Sequence, residues 1–255
     1  MNHFNSFLLS SGFQLWFEDI SDSFHKTFIT SDRWLQLLKG LVVTLEITFF
    51  AAILGIIIGF IIAAVRSTYD KNLQGKKCRN FGDFILKFFD TICKIYLTVI
   101  RGTPVVVQLM IIHFIVLASV RNGIYAAIVA FGINSGAYVA EIARSGIMSI
   151  DKGQFEAGRS LGFNYIQTMW YIVFPQAFKN ILPALGNEFI VLVKETSVAG
   201  YVALKDITYV GNLIRSRTYE AFFPLITIAI IYLAIVMILT HFLQKLERRL
   251  RNSDH

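Results

Sequence analysis

Long apolar runs separated by short polar segments set the pattern of this chain. The most continuous runs cover residues 41–65, 124–148 and 221–243, and Arg66 closes the first of them. Each run exceeds the roughly 18 residues that a helix needs to cross about 30 Å of hydrocarbon. The pattern therefore predicts an all-α integral membrane protein.

Two further spans are predicted from weaker patterns. Residues 83–100 are apolar with scattered charges, as in an amphipathic helix, and Pro104 predicts a kink before the helix continues to about residue 117. A fourth span is predicted to start near Ile181 and to reach about residue 204. With about five spans, the two termini lie on opposite sides of the membrane.

Lysine and arginine are unevenly distributed between the two sides of the predicted bundle. The segments after the first and third spans and at the chain end hold about fifteen of them, and the opposite side holds about seven. Because positively charged loops stay in the cytoplasm, the N-terminus is predicted to be external and the C-terminus cytoplasmic. The chain then divides into an external or interfacial segment 1–40, a transmembrane domain 41–244 and a basic cytoplasmic tail 245–255.

Composition narrows the function classes. The chain has 255 residues, of which 55% are hydrophobic and only 16% are charged, so its formal charge of +7 favours contact with cytoplasm and anionic lipid over nucleic acid. Cys78 and Cys93 are predicted to be reduced thiols. The five histidines are scattered without metal-ligand spacing, and no nucleophile with a nearby base supports an intramembrane enzyme.

Polar residues inside the predicted spans are candidates for a binding site. Asn134, Tyr138 and Glu141 recur at helical spacing and share one face of the third span, while Lys194 and Glu195 fall near the centre of the fourth. Ionisable groups at such positions are costly unless they face a cavity or a partner. Two interpretations stay open, a polar pathway or structural ion pairs that join Glu141 to Arg144 or Lys194 to either glutamate.

A polar, helix-forming segment at residues 151–183 interrupts the apolar runs. Asp151 is predicted to cap one short helix with Gln154 as its capping-box partner, Gly162 to end that helix in a left-handed turn, and Asn164 with Gln167 to cap a second. Charged Glu156 and Arg159 alternate there with apolar side chains, as in a helix that docks into a partner's groove. The alternative is a merely structural cytoplasmic loop.

The same segment carries a family motif. Glu156, Ala157 and Gly158, then Gly162, Ile172, Phe174 and Pro175, match the EAA signature of bacterial ABC-importer permeases, with Gly158 and Phe174 as mild departures. RGTP from Arg101, the segment from Asn134 to Glu141, PQA from Pro175, LP at Leu182, Asn187 and KETS from Lys194 follow in the order of the polar amino-acid uptake subfamily. The chain therefore resembles the histidine- and glutamine-type permeases over about three quarters of its length.

The resemblance implies the type I importer permease fold, a location in the bacterial cytoplasmic membrane, and two sets of functional residues. Residues 151–176 would form the coupling region, whose expected ATPase-docking residues are Phe155, Glu156, Ala157, Gly158, Arg159, Leu161 and Gly162. The expected substrate-binding residues are Asn134, Tyr138, Glu141, Lys194, Glu195 and Ser197. The family more often has Asp where this chain has Glu195, so the reach of this side chain differs.

The resemblance also implies the partners. They are a dimer of P-loop ATPase subunits, an extracytoplasmic solute-binding protein, a second permease protomer, a polar amino acid and the lipid bilayer, with no nucleic acid. The chain has no G-x-x-x-x-G-K-[ST] phosphate loop, so no cofactor is expected in it, and ATP and Mg²⁺ would bind the ATPase. The competing hypothesis is a secondary transporter or channel that uses Glu141, Lys194 and Glu195 as an ion relay.

Overall fold

The computed structural model describes residues 20–76 and 80–251. Residues 1–19 of the predicted external segment 1–40, Cys78 in the basic loop, and the end of the predicted tail from residue 252 lie outside the described residues. Within the two described ranges the chain forms helices and turns without any β-strand. The all-α prediction is confirmed.

In the described part of the chain, a helical segment at residues 20–28 precedes nine further α-helices. They are α1 (Arg33–Asn72), α2 (Phe81–Gly102), α3 (Val105–Ile111), α4 (Gly123–Met148), α5 (Lys152–Ser160), α6 (Tyr165–Thr168), α7 (Phe174–Glu195), α8 (Ile207–Thr218) and α9 (Phe222–Arg251). Wide π-helical turns at Ile112–Val116 and Met169–Val173 extend α3 and α6, and a tight 3₁₀ segment at Thr196–Val202 follows α7.

Three helices of the described residues, α1, α4 and α9, are long and apolar enough to cross a membrane, and the bent pair of α2 and α3 makes four if it is taken as one broken span. Helix α7 has 22 residues, so its length of about 33 Å also suits a span, although its charged residues make it less apolar. Helix α1 has 40 residues and continues past Arg66 to Asn72. The prediction that Arg66 closes the first helix is therefore wrong, because the helix outlasts its apolar run.

The predicted kink before Pro104 is a sharp bend of 109° between α2 and the helix that follows. Thr103 has an extended backbone (φ −123°, ψ 146°), as the ring of a following proline requires. The Gln108 amide spans the bend by donating to the Ile100 carbonyl at 2.8 Å and to the Thr103 carbonyl at 3.1 Å. These bonds satisfy carbonyl groups that the broken helix leaves without partners.

Small residues bring α1 and α4 into close contact at the centre of the bundle. A Cβ atom added to Gly132 would lie 2.7 Å from Leu54 Cδ2, and one added to Gly136 would lie 2.9 Å from Ile58 Cγ2. Such contacts exclude any larger residue unless the helices move apart. The structure thus confirms the close packing predicted from the Gly, Ala and Ser content of the third span.

The fourth predicted span is displaced in sequence. Helix α7 begins at Phe174 instead of near Ile181, contains Pro183 in its interior, and ends at Glu195 instead of near residue 204. Pro175 lies in its first turn, where the missing N–H group costs little. Pro175 and Pro183, which lie on either side of Ile181, are therefore both inside one helix.

Helix α8 forms a short outer layer against α1 and α9. Leu37, Ile207, Val210 and Ile214 bury one apolar cluster between these helices. The Asp206 carboxylate caps α8 by accepting hydrogen bonds from the Thr208 and Tyr209 amides, both at 3.0 Å. The capped helix α8 thus packs its apolar face against α1 and α9.

Candidate functional site

The polar face of α4 meets α7 through two side-chain hydrogen bonds. Asn134, which is 3% exposed, donates from Nδ2 to Glu195 Oε2 at 3.2 Å. One residue further on, the Ser135 hydroxyl donates to Glu188 Oε1 at 2.9 Å. Two half-buried carboxylates on α7 are thus held by neighbouring residues of α4, and each carboxylate retains acceptor capacity for another donor.

Glu141 lies elsewhere and has a different partner. Its Oε2 atom accepts from Arg144 Nη2 at 3.1 Å, and the same guanidinium donates from Nη1 to Asp70 Oδ2 at 3.2 Å. The structure therefore realises the Glu141–Arg144 ion pair, one of the two interpretations given above. Seven residues separate Glu141 from Asn134, about 10 Å along the helix, so the two side chains do not form one cluster.

A cationic cleft of about 410 Å³ borders Glu141. Arg66, Lys94 and Arg101 line it, and the Arg101 guanidinium lies 5.6 Å from the centre of the Tyr138 ring. Arg101 thus contacts the bundle through a cation–π interaction. Tyr138 and Glu141 both belong to this cleft region, whereas Asn134 belongs to the pair with Glu195.

Lys194 is exposed on the surface of α7, and no ion pair joins it to a carboxylate within residues 20–76 and 80–251. Lys194 therefore does not take part in the contact that Glu195 makes with α4. Ser197 is half-buried in the 3₁₀ segment, at the irregular turn expected there. Of the six predicted substrate residues, Asn134 and Glu195 are the pair that a side-chain hydrogen bond joins in the described part of the chain.

The helix pair, which we define as α5 and α6 with the Gly162 turn between them, has the caps predicted at Asp151, Gly162 and Asn164. Asp151 Oδ1 accepts from the Gly153 amide at 2.7 Å, and Asn164 and Gln167 exchange reciprocal bonds of 2.9 Å. Gly162 has φ +80°, a conformation that suits glycine.

Two details of the helix pair differ from the prediction. The Gln154 side chain does not complete a capping box with Asp151, because its Oε1 atom accepts from Gln176 Nε2 at 3.2 Å instead. The second helix is also not short, since the Phe174 amide donates to the Met169 carbonyl and the helix passes through this wide turn into α7. The turn at Gly162 is therefore the one break between α5 and the membrane-spanning part of α7.

The predicted docking residues divide into an exposed and an inner group. Exposed residues are Glu156, Ala157, Arg159, Leu161 and Gly162. Phe155 is half-buried, with the Lys71 ammonium 3.1 Å from its ring centre. Gly158 is buried against α6, where an added Cβ would lie 2.6 Å from Thr168 Cγ2, so it permits helix–helix contact within the pair rather than the approach of a partner.

The helix pair is packed onto the membrane bundle through one apolar cluster. Ala143 and Ile147 of α4 pack there with Ala177 and Ile181 of α7, and Phe155 contacts the same cluster from α5. Asn180 of α7 also donates to the Ser149 hydroxyl at 3.1 Å. A displacement of the helix pair would therefore reach α4 and α7 together, the two helices that hold Asn134 and Glu195.

Sequence reasoning missed the partnership of Ser135 and Glu188. A signal was present, since Glu188 precedes Glu195 by seven residues and shares its helix face, and Ser135 follows Asn134. No group of three or more potential metal ligands occurs within the described residues. The candidate site therefore consists of carboxylates, an amide and hydroxyls on membrane helices, joined to a cytoplasmic helix pair.

An all-helical bundle with half-buried carboxylates and an exposed helix pair fits the class of membrane permeases. Residues 84–252 match the family described as the inner membrane component of binding-protein-dependent transport systems. The chain belongs to this family, as its EAA-like motif predicts.

Individual relatives agree with this assignment. The chain is 39% identical over 221 residues to the arginine transport system permease protein ArtQ of Bacillus subtilis (strain 168), covering 86% of this chain and 94% of the relative. It is 34% identical over 210 residues to the glutamine transport system permease protein GlnP of Escherichia coli (strain K12), covering 81% and 90%.

Solved structures show the same architecture. The crystal structure of an amino acid ABC transporter with histidines superposes with a TM-score of 0.74 at 37% identity, covering 87% of this chain and 98% of the other. An inward-facing MetNI methionine ABC transporter superposes with a TM-score of 0.71 at 19% identity, covering 87% and 99%, which supports the fold alone. The type I importer permease fold is thereby confirmed.

Proposed function

We propose that this chain is the membrane-spanning subunit of an ATP-driven importer for polar amino acids. One observation carries the proposal: the exposed helix pair packs onto the same two helices, α4 and α7, that hold the half-buried Asn134–Glu195 pair. The similarity to arginine and glutamine permeases supports a polar amino acid as the solute. A carboxylate with free acceptor capacity is suited to an ammonium or guanidinium group.

The ATPase partner would dock onto the exposed group of the helix pair. Glu156 and Arg159 offer charges of both signs, and Leu161 is 70% exposed, so it can enter an apolar pocket of the partner. In this proposal Phe155 and Gly158 shape the helix pair from within and do not touch the ATPase. ATP and Mg²⁺ bind the partner dimer, and this chain binds neither.

A second permease protomer and an extracytoplasmic solute-binding protein complete the proposed assembly. One bundle of about five spans is too small to enclose a polar pathway alone, and a symmetric or paralogous pair would place two sets of polar residues around one axis. Solute would enter from the external side, where the N-terminus lies, and leave on the cytoplasmic side with the helix pair and the C-terminus.

Alternating access follows from the continuity of α6 with α7. Closure of the ATPase dimer would move the helix pair, and the shared apolar cluster would carry this displacement into α4 and α7. The Asn134–Glu195 contact lies between these two helices, so a small shift between them would change its access to either side. ATP binding and hydrolysis in the partner thereby change the access to these polar residues, although this chain has no nucleotide site.

The test is transport by the reconstituted complex of this chain with its ATPase and binding protein. Uptake of labelled arginine or glutamine into proteoliposomes should require ATP and persist when ion gradients are dissipated. Glu156→Lys should abolish uptake and permease-stimulated ATP hydrolysis while membrane insertion stays intact, because it reverses a charge at the docking surface. Glu247→Lys, on the cytoplasmic end of α9, is the matched control and should transport normally.

Two results would contradict this proposal in different ways. Uptake that ignores ATP and follows a proton or sodium gradient would favour the secondary transporter or channel. Normal uptake by Glu156→Lys would leave the importer in place and refute the docking assignment.

A further inference from the structure

A cavity of about 540 Å³ lies between the helix pair and the cytoplasmic end of α1. Asp70 and Lys71 of α1 line one side, and Lys152, Phe155, Glu156, Arg159, Tyr165 and Thr168 of the helix pair line the other. Its volume is within the range of about 300–1,000 Å³ typical of small-ligand sites. None of the predicted substrate residues lines this cavity, so it is separate from the proposed solute pathway.

Positive charge in the cavity is not neutralised by the protein. Lys71, Lys152 and Arg159 form no ion pair with an acid in the described part of the chain. The Asp70 carboxylate is engaged with Arg144, which lies 3.2 Å away. Glu156 is then the one acid left to oppose three cations, so an anion carrying two charges would balance the cavity.

Hydrogen-bond donors in the wall also lack partners. Thr168 is 2% exposed and its hydroxyl forms no hydrogen bond, and the half-buried Lys71 also has no hydrogen-bond partner for its ammonium, which lies 3.1 Å from the centre of the Phe155 ring. Burial raises the pKa of the Tyr165 phenol, so this hydroxyl keeps its proton and can also donate. Buried donors of this kind normally find an acceptor, and here the cavity is the place for it.

The cavity lies at the outer edge of the headgroup layer of a bilayer. Lys71 lies six residues beyond the apolar run that ends at Val65, which is about 9 Å along a helix. The headgroup regions add roughly 5–8 Å to each side of the hydrocarbon core. A phosphate at this level could belong to a lipid headgroup or to a soluble compound from the cytoplasm.

We infer that this cavity is a phosphate-binding site, formed by Lys71, Arg159 and Thr168. A phosphate supplies up to two negative charges and at least three strong acceptor oxygens, whereas a carboxylate supplies one charge and two oxygens. Bound there, it would join the end of α1 to the helix pair and hold the pair against the bundle. The site shares Arg159 with the proposed docking surface but lies outside the proposed solute pathway, and a phosphate ligand goes beyond the proposed function.

The experiment follows the exposure of Lys71 in the full-length chain, purified in a neutral maltoside detergent without its partners. The rate of Lys71 acetylation by an amine reagent is measured by mass spectrometry. Inorganic phosphate and short-chain phosphatidylglycerol are added in separate arms, with chloride at matched ionic strength and acetate as controls. Acetylation of Lys245, which is exposed on α9 outside the cavity, reports on non-specific effects.

Phosphate, phosphatidylglycerol or both should slow Lys71 acetylation while Lys245 reacts as before. Protection by phosphatidylglycerol alone identifies a lipid headgroup, and protection by inorganic phosphate identifies a soluble ligand. Thr168→Val, which removes the hydroxyl at nearly constant shape, and Arg159→Gln should each raise the protecting concentration about tenfold, the value of one charge-assisted hydrogen bond. Lys245→Gln, the matched loss of one charge outside the cavity, should bind like the unmodified chain.

Three results would overturn the inference. Equal Lys71 rates with chloride, phosphate and phosphatidylglycerol would show that the cavity binds no phosphate. Protection by acetate as strong as that by phosphate would assign a carboxylate site. Unchanged protection in both Thr168→Val and Arg159→Gln would place the ligand elsewhere, and a normal acetylation pattern of the remaining lysines confirms that the variants are folded.

Discussion

The Glu195 carboxylate is held by a single amide donor from Asn134, which leaves acceptor capacity toward a cationic solute. Glu195→Gln keeps the shape of the side chain and removes its charge. We predict that the variant lowers kcat/KM for arginine at least tenfold more than for glutamine, since a hydrogen bond to a charged group is worth about 1.5–3 kcal/mol. Initial uptake rates in ATP-loaded proteoliposomes measure both values.

Glu247→Gln removes a carboxylate far from this pair and should leave the ratio unchanged. An unaltered arginine-to-glutamine ratio in Glu195→Gln would mean that Glu195 only joins α4 to α7.

Polarity alone selected Asn134 and Glu195 from the sequence, but their contact joins residues 61 positions apart and could not be read from local spacing. The geometry of a single helix would have predicted that Lys194 points away from α4. Successive helix residues point about 100° apart, so a Glu195 that faces α4 turns Lys194 away from it. The Glu141–Arg144 pair was accessible to prediction, because residues three positions apart share a helix face.

The two arms of the helix pair meet where Gly158 contacts Thr168. Gly158→Ala should lower the free energy of unfolding by about 1–3 kcal/mol, the usual cost of overpacking, and weaken the coupling of ATP hydrolysis to transport. Thermal unfolding and permease-stimulated ATPase activity measure the two effects. The added methyl group forces α5 away from α6.

A second substitution tests whether the contact with Thr168 causes the losses expected for Gly158→Ala. Thr168→Ala removes the two atoms closest to the new methyl group, Cγ2 at 2.6 Å and Oγ1 at 2.7 Å. The double variant should therefore regain much of the loss, giving a favourable interaction energy in the mutant cycle. Strictly additive losses would rule out this contact as the cause.

Helix caps were predictable where the capping residue lies close in sequence to the turn that it forms. Asp151, the Asn164–Gln167 pair and Gly162 all act within three residues of the turns that they form. Gln154 escaped prediction because its partner Gln176 lies 22 residues away, on another helix. The start of α7 escaped for a different reason, since a proline in a first helical turn and a proline that stops a helix look alike in sequence.

At the scale of the molecule, the helices differ in how much of their apolar surface the chain itself covers. The apolar window of α4 is 61% buried and that of α9 only 11%, so α4 is the central helix and α9 a peripheral one. Hydropathy ranks them in the reverse order, because a lipid-facing helix is uniformly apolar while a central helix carries small and polar residues. The prediction of about five spans exceeds the three long apolar helices of the described residues, or four with the bent pair, because α7 is interrupted by charged residues.

The orientation of the whole bundle follows from its charge distribution and can be tested with single cysteines. In a chain carrying Cys78→Ser and Cys93→Ser, Arg121→Cys marks the exposed connection before α4, and Ser160→Cys marks the exposed end of α5. Since Lys and Arg concentrate on the side of the helix pair, that side is predicted to be cytoplasmic. A membrane-impermeant thiol reagent added to intact spheroplasts should label Arg121→Cys alone, and Ser160→Cys should react only after the membrane is opened. The cysteine-free parent controls for background, and the reverse labelling pattern would place the helix pair outside, where no cytoplasmic ATPase could reach it.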